Sequence, residues 1–114
     1  MAEVPRDIQN KAYEAIELAK KTGKIKKGVN ETTKAIEKNY AKLVVAASNV
    51  DPKEVIMHLK PLCEEKKVLY VEISSKEELG AAAGLNVATS AVAIIKEGDS
   101  KNLIDELQKA LKNG

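Results

Sequence analysis

Between positions 24 and 34 the chain reads Lys24-Ile25-Lys26-Lys27-Gly28-Val29-Asn30-Glu31-Thr32-Thr33-Lys34. Lysines precede a glycine, and Asn30, Glu31 and Lys34 follow where the pattern opens a helix. Ammonium groups and the free N–H groups of a helix start attract phosphate. An amide, a carboxylate and an ammonium hydrogen-bond base edges, each with its own donor and acceptor pattern. These are the parts with which a structured RNA is read. A solvated, lysine-rich helix entry would carry the same residues, and this segment alone does not separate the two readings.

Other chemistry is thinly represented. His58 is the only histidine and has no Asp, Ser or Cys partner evident in sequence; Cys63, the only cysteine, sits in a helical pattern beside Leu59 and Leu62. A buried structural thiol and an ordinary helix histidine are the expected readings. A lone cysteine forms no internal disulfide, and there is no Cys/His cluster for zinc, so neither metal nor cofactor is expected. Glu64-Glu65 and Glu77-Glu78 are sequence neighbours, which do not face each other on a helix and so make no acid/base pair. Residues 28–31 hold too few glycines for a P-loop or dinucleotide fingerprint. Gly80 and Gly84 bracket three alanines, the spacing of a closely packed helix that ends on a glycine. An enzyme is disfavoured, although a site assembled in space from distant residues stays open.

Charge sharpens the first reading. The 114 residues carry a net charge of only +2. From Lys20 to Lys42, however, lie eight lysines and two glutamates, a local +6 that leaves −4 for the remainder. Such an asymmetry orients a polyanion on one face. Three tyrosines are the only aromatic residues. That is too few for the stacking platforms of single-strand binders, so an RNA partner would be recognised by shape, phosphate and base edges. With 44% hydrophobic and 32% charged residues, the chain reads as one soluble domain spanning 1–114. No apolar stretch approaches the roughly 18–20 residues of a membrane span, and the polar start is unlike a secretory leader. The expectation is a cytoplasmic protein with no membrane partner, and nothing suggests more than a monomer.

The elements that must position these residues follow from periodicity. A first helix starts near Pro5, presents Ile8, Ala12, Ile16 and Ala19, and ends at Thr22-Gly23. A short polar edge strand covers 24–28 and a second helix 30–38. Residues 41–47 form an apolar strand covered on both faces. Asp51-Pro52-Lys53-Glu54 reads as a helix cap, and the third helix should run on to Lys66, with Pro61 a warning of a bend or break. A strand over 68–73 precedes a helix capped by Ser75 and closed at Gly84. An apolar loop over 85–90, either packed down or awaiting a partner, leads to a strand over 91–95. Asp99 or Ser100 caps a last helix with Leu103, Ile104, Leu107 and Leu111 inward. Strands and helices alternate, which implies an α/β fold with a four-stranded central sheet and helices on both faces.

The segment Lys27-Gly28-Val29-Asn30-Glu31-Thr32-Thr33-Lys34 resembles the Lys-Gly-x-Asn-Glu-x-Thr-Lys signature of the archaeal ribosomal protein L-seven-Ae family. The resemblance extends to His58-Leu59-Lys60-Pro61-Leu62-Cys63-Glu64-Glu65-Lys66, to Ser75-Lys76-Glu77-Glu78-Leu79-Gly80 and to Ala91-Val92-Ala93-Ile94-Ile95-Lys96-Glu97-Gly98. It implies a three-layer α/β/α sandwich around a mixed four-stranded sheet. It also implies a kink-turn RNA partner: a helix–bulge–helix with tandem sheared G·A pairs. By that pattern Asn30, Glu31 and Lys34 would contact the guanines of those pairs, Gly28 would admit the RNA closely, and Lys27, with Lys24 and Lys26 as further candidates, would neutralise phosphates. Val55 and Lys76 would flank the bulge, Asp51 would lie near a splayed base, and Leu85, Asn86, Val87 and Ala88 would cover extruded nucleotides. The expected partners are kink-turns in rRNA, in box C/D and H/ACA guide RNA and in ribonuclease P RNA, with other ribonucleoprotein proteins. One departure is plain: the family's archaeal loop usually reads Leu-Glu-Val-Pro, and here Asn86 and Ala88 replace its Glu and Pro. The loop should be more mobile and lose more entropy on binding. The alternative is an interaction module whose basic face meets an acidic protein.

Overall fold

The computed structural model describes residues 4–112; residues 1–3 and 113–114, the ends of the expected 1–114 domain, lie outside the described residues. In chain order the elements are α1 (Arg6–Thr22), β1 (Lys24–Lys27), α2 (Val29–Glu37), β2 (Leu43–Ala47), a 3₁₀ turn (Lys53–Val55), α3 (Leu59–Lys66), β3 (Leu69–Ile73), α4 (Lys76–Ala82), β4 (Ala91–Lys96), a second 3₁₀ turn (Gly98–Ser100) and α5 (Lys101–Lys112). The four strands form one sheet in the order β1-β4-β2-β3. β4 is antiparallel to both β1 and β2, whereas β2 and β3 are parallel, so the sheet is mixed. A parallel pair needs a long crossover, and residues 48–68 with α3 supply it.

The hydrophobic pattern explains the layering. Every residue of β2 is buried. Side chains alternate between the two faces of a strand, so a strand with no exposed position is covered on both. α1 touches α4 and α5 in one layer; α2 and α3 touch each other in the second. Ala12, Ile16 and Ala19 from α1, Ile36 from α2, Leu59 from α3 and Leu107 from α5 are all buried against the sheet residues Leu43, Val45, Val92 and Ile94. Among the described residues no helix is long and apolar enough to cross a membrane.

Two expectations are corrected. Asp51 does not open the third helix. Residues 53–55 form a single 3₁₀ turn and the α-helix begins only at Leu59. Pro61 dictates this: it lacks an N–H and clashes with the preceding turn of a continuous helix, but within the first turn of α3 no intrahelical donor is required. Nor does Ser100 cap α5 with its oxygen; its hydroxyl donates backwards to the Glu97 carbonyl at 2.6 Å, inside the second 3₁₀ turn.

The register has one consequence for function. Ala47 lies beside Ile73, Ala46 beside Ala91, and Lys27 beside Val92. The chain therefore leaves β1, β2 and β3, and enters β4, at the same end of the sheet. The four connecting segments converge there: Gly28, Asp51, Val55 and residues 85–88 lie on them, with Lys27 closing β1, Asn30, Glu31 and Lys34 on α2 and Lys76 opening α4, whereas Lys24 lies at the opposite end of β1.

Candidate nucleic-acid interface

The centre of this end is the turn from β1 into α2. Gly28 adopts φ 91° and ψ 155°, a conformation that a Cβ would strain, and nothing lies within 4 Å of where that Cβ would sit. Its N–H donates to the Ala91 carbonyl at 2.8 Å, pinning the turn to the start of β4. No side chain caps α2, so the N–H groups of its first turn are open to an external acceptor. The helix buries Thr32, Ala35 and Ile36. With 3.6 residues per turn, that face forces Asn30, Glu31 and Lys34 outward, and all three are exposed. Glu31 Oε2 and Lys34 Nζ are 3.7 Å apart. Carboxylate and ammonium thus meet over one spot. An exposed pair of this kind contributes about 0.2–1 kcal/mol, little enough to re-partner with a ligand. Lys27 and Lys26 are exposed beside them on the edge strand β1.

The second connection carries Asp51, which is exposed, and Val55, half-buried in the 3₁₀ turn. His58 follows. Its Nε2 lies 2.8 Å from Thr33 Oγ1, and that hydroxyl donates to the Val29 carbonyl at 2.7 Å. With the hydroxyl proton so occupied, the imidazole donates, and the pair joins the end of this connection to α2. The partner of His58 is thus neither Asp, Ser nor Cys but a threonine on another helix. Cys63 is buried, and burial pushes its thiol up to about 12. At neutral pH it is not a nucleophile. His58, by contrast, is exposed.

The third connection leads into α4. The Ser75 hydroxyl accepts from the Glu78 N–H at 3.1 Å, the expected N-cap. Lys76 is half-buried at the first helical position. Its N–H donates to Asn49 Oδ1 at 2.9 Å, while Asn49 Nδ2 donates to Glu77 Oε1 at 3.3 Å. Asn49, on the β2 connection, therefore fixes where Lys76 begins. Glu77's own N–H, followed by the Asn49 amide, holds the Glu77 carboxyl below the usual carboxylate range. Asn49 carries no signal in the sequence, because a pairing across 27 positions leaves no periodic trace.

The fourth connection is the apolar loop, and the two readings of it divide. Leu85 is half-buried and its N–H donates to the Gly80 carbonyl at 2.9 Å. Asn86 and Ala88 are exposed, and Val87 is 70% exposed. Thr89 N–H then donates to the Lys76 carbonyl at 3.1 Å. Gly80 makes this path possible, since a Cβ there would lie 2.1 Å from the Val87 carbonyl oxygen. The spacing of Gly80 and Gly84 thus reflects close packing, as expected: Gly80 packs against the loop and Gly84, at φ 80°, against the Lys20 side chain of α1.

Twelve of the residues named from the resemblance thus share one end of the sheet; of the two further phosphate candidates, Lys26 lies next to Lys27 and Lys24 is at the other end of β1. Lys27, Asn30, Glu31, Lys34, Asp51, Asn86, Val87 and Ala88 are exposed; Gly28, Val55, Lys76 and Leu85 are partly covered. The fold is similar to that of the Giardia lamblia 15.5kD RNA binding protein, with a TM-score of 0.92 and 29% identity over 99% of this chain and 94% of that one. The model of the ribosomal protein L7Ae/L30e/S12e/Gadd45 family matches residues 10–104, a span running from the first helix into the last. A match across that span shows that this chain belongs to the ribosomal protein L7Ae/L30e/S12e/Gadd45 family.

Proposed function

We propose that the whole chain acts as one RNA-binding domain that recognises kink-turns and performs no catalysis. The observation that carries this reading is the exposed trio Asn30, Glu31 and Lys34 at the uncapped start of α2, beside Lys27, at the end of the sheet where the other three connections also meet. Glu31 can accept from the N1–H and amino group of guanine, Lys34 can donate to O6 or N7, and Asn30 can do either. The open N–H groups of α2, with Lys27, suit the neighbouring phosphates. Asp51, Val55 and Lys76 would flank the bulge, and residues 85–88 would lie over extruded nucleotides. The likeness to the Giardia lamblia 15.5kD RNA binding protein and the family match support RNA as the ligand class.

In this reading the protein binds the sharply bent RNA better than the open one and so shifts its population towards the bend. The bend in turn would nucleate larger particles: the large ribosomal subunit, box C/D and H/ACA complexes, and ribonuclease P. It would act in the cytoplasm, as a monomer, alongside other ribonucleoprotein proteins. The test is a gel shift with a kink-turn oligonucleotide against one whose G·A pairs are replaced by Watson–Crick pairs. The expected result is a clear preference for the G·A-containing RNA. Equal binding to both would overturn the reading and favour an acidic protein as the partner of the basic face.

A further inference from the structure

The fold collects a second group of lysines at the other end of the sheet, away from the base-reading trio. Lys24 lies opposite Lys96 across the β1–β4 pair. Lys42 donates its N–H to the Ile94 carbonyl, one strand over, at 2.7 Å. Lys38 follows directly on α2, four residues before Lys42, where the chain turns back to the sheet. Three segments (β1, the α2–β2 connection and β4) thus bring four exposed lysines to one corner. Lys26 on β1 lies between that corner and the trio, and Lys34 is the member of the trio nearest to Lys38 along α2.

Structural roles do not explain the group. Lysine on an edge strand guards against strand addition, which suits Lys24 and Lys26. It does not suit Lys96, because β4 is an interior strand. Glu37 and Glu97 adjoin Lys38 and Lys96 in sequence, yet the ion pairs among the described residues are Arg6–Glu78, Lys11–Glu106 and Lys34–Glu31 only. The corner is a set of unneutralised cations, and a polyanion would relieve their repulsion.

We propose that Lys24, Lys38, Lys42 and Lys96 form a sequence-independent phosphate-binding surface that holds a helical RNA stem leading away from the base-reading site. This rests on the kink-turn reading above and extends it. From Asn30 to Lys38, α2 spans about 12 Å at roughly 1.5 Å per residue, so a stem bound at the trio need extend only a few base pairs to reach the corner. An acidic protein would suit the charge as well. Continuity with the trio, through Lys26 and Lys34, favours RNA.

The experiment compares two RNAs: a kink-turn with minimal stems, and the same kink-turn with each stem in turn lengthened by about one helical turn. Wild-type protein is expected to bind one of the lengthened RNAs about tenfold more tightly than the minimal one at low salt. The fourfold variant K24Q, K38Q, K42Q and K96Q should bind the minimal RNA within about twofold of wild type, lose the advantage of the long stem, and flatten its log–log salt dependence by roughly 2–3. Exposed Lys→Gln changes should leave the circular-dichroism melt unchanged. No benefit from either long stem in the wild type, or equal weakening on short and long RNAs in the variant, would overturn the proposal while leaving G·A discrimination intact. Loss of G·A discrimination in the wild type would instead mark failure of the kink-turn reading, and this inference would fall with it.

Discussion

At the residue scale, reading a base differs from neutralising a phosphate in what a substitution does. Glu31→Ala removes an acceptor for guanine and should cost about 1–3 kcal/mol on G·A-containing RNA, with little effect on RNA that lacks those pairs. Lys27→Ala removes one counterion-releasing contact, so its effect should be similar on every RNA and should lessen as salt rises. Titrations of the two variants on both RNAs check these outcomes; a Glu31→Ala loss equal on both RNAs would remove the base-reading role. Cys63 presents a contrasting residue. Its thiol is pushed up to about 12 by burial, so Ellman's reagent should modify the folded protein very slowly at pH 8 and the unfolded protein at once.

At the element scale, the site depends on how segments lean on one another. Asn49 holds the first N–H of α4 and the Glu77 carboxylate. Asn49→Ala leaves both without that partner, and loss of such bonds typically costs about 1–3 kcal/mol. RNA affinity should fall with Lys76 intact, while Asn49→Asp, which keeps the acceptor for Lys76 N–H, should recover part of it. Gly80→Ala tests the loop. A Cβ placed 2.1 Å from the Val87 carbonyl oxygen must displace residues 87–88, so amide exchange in the loop should rise and RNA binding should weaken. Unchanged loop exchange and affinity would show that the α4–loop contact plays no part in presenting Val87.

At the scale of the whole molecule, contacts distant in sequence close the fold around the site. Arg6 grips Glu78 through two bonds, of 2.6 and 3.3 Å, across 72 positions, and Gln9 accepts from Ser74 N–H at 2.9 Å. Both tie α1 to the start of α4. Arg6, through its hydrogen bond, holds the Glu78 carboxyl below the usual range, as the bonds to Glu77 do for that group. A carboxyl whose pKa is depressed in the folded state stabilises the fold above its unfolded value and ceases to do so as pH falls through the folded one. The thermal midpoint should therefore drop as pH is lowered from about 5 through the ordinary glutamate range near 4.3, and the drop should be shallower in Arg6→Ala. Leu107 anchors α5 with its side chain fully buried. Leu107→Ala should cost about 2–5 kcal/mol in denaturant unfolding without altering RNA affinity of the folded protein.

Local pattern alone determined a good deal about this protein. The inward faces of α1 and α5, the doubly buried strand β2, the Ser75 cap and the exposure of Asn30, Glu31 and Lys34 all follow from periods of 3.6 and 2 and from capping chemistry. The candidate residues were legible through one motif and the segments that resemble the same family. Tertiary structure decided what no period encodes. The order β1-β4-β2-β3 brings four connections to one end; β2 pairs with both β3 and β4; Lys96 stands opposite Lys24; Asn49 reaches Lys76. It also decided that α3 starts at Leu59, because the proline that breaks the pattern is accommodated only in a first turn. The physical reason is common to all of these. Helix faces and caps are set by neighbours within a few residues, whereas strand order, register and side-chain bridges are chosen by burial of the whole core against the entropy of closing the loops between distant segments.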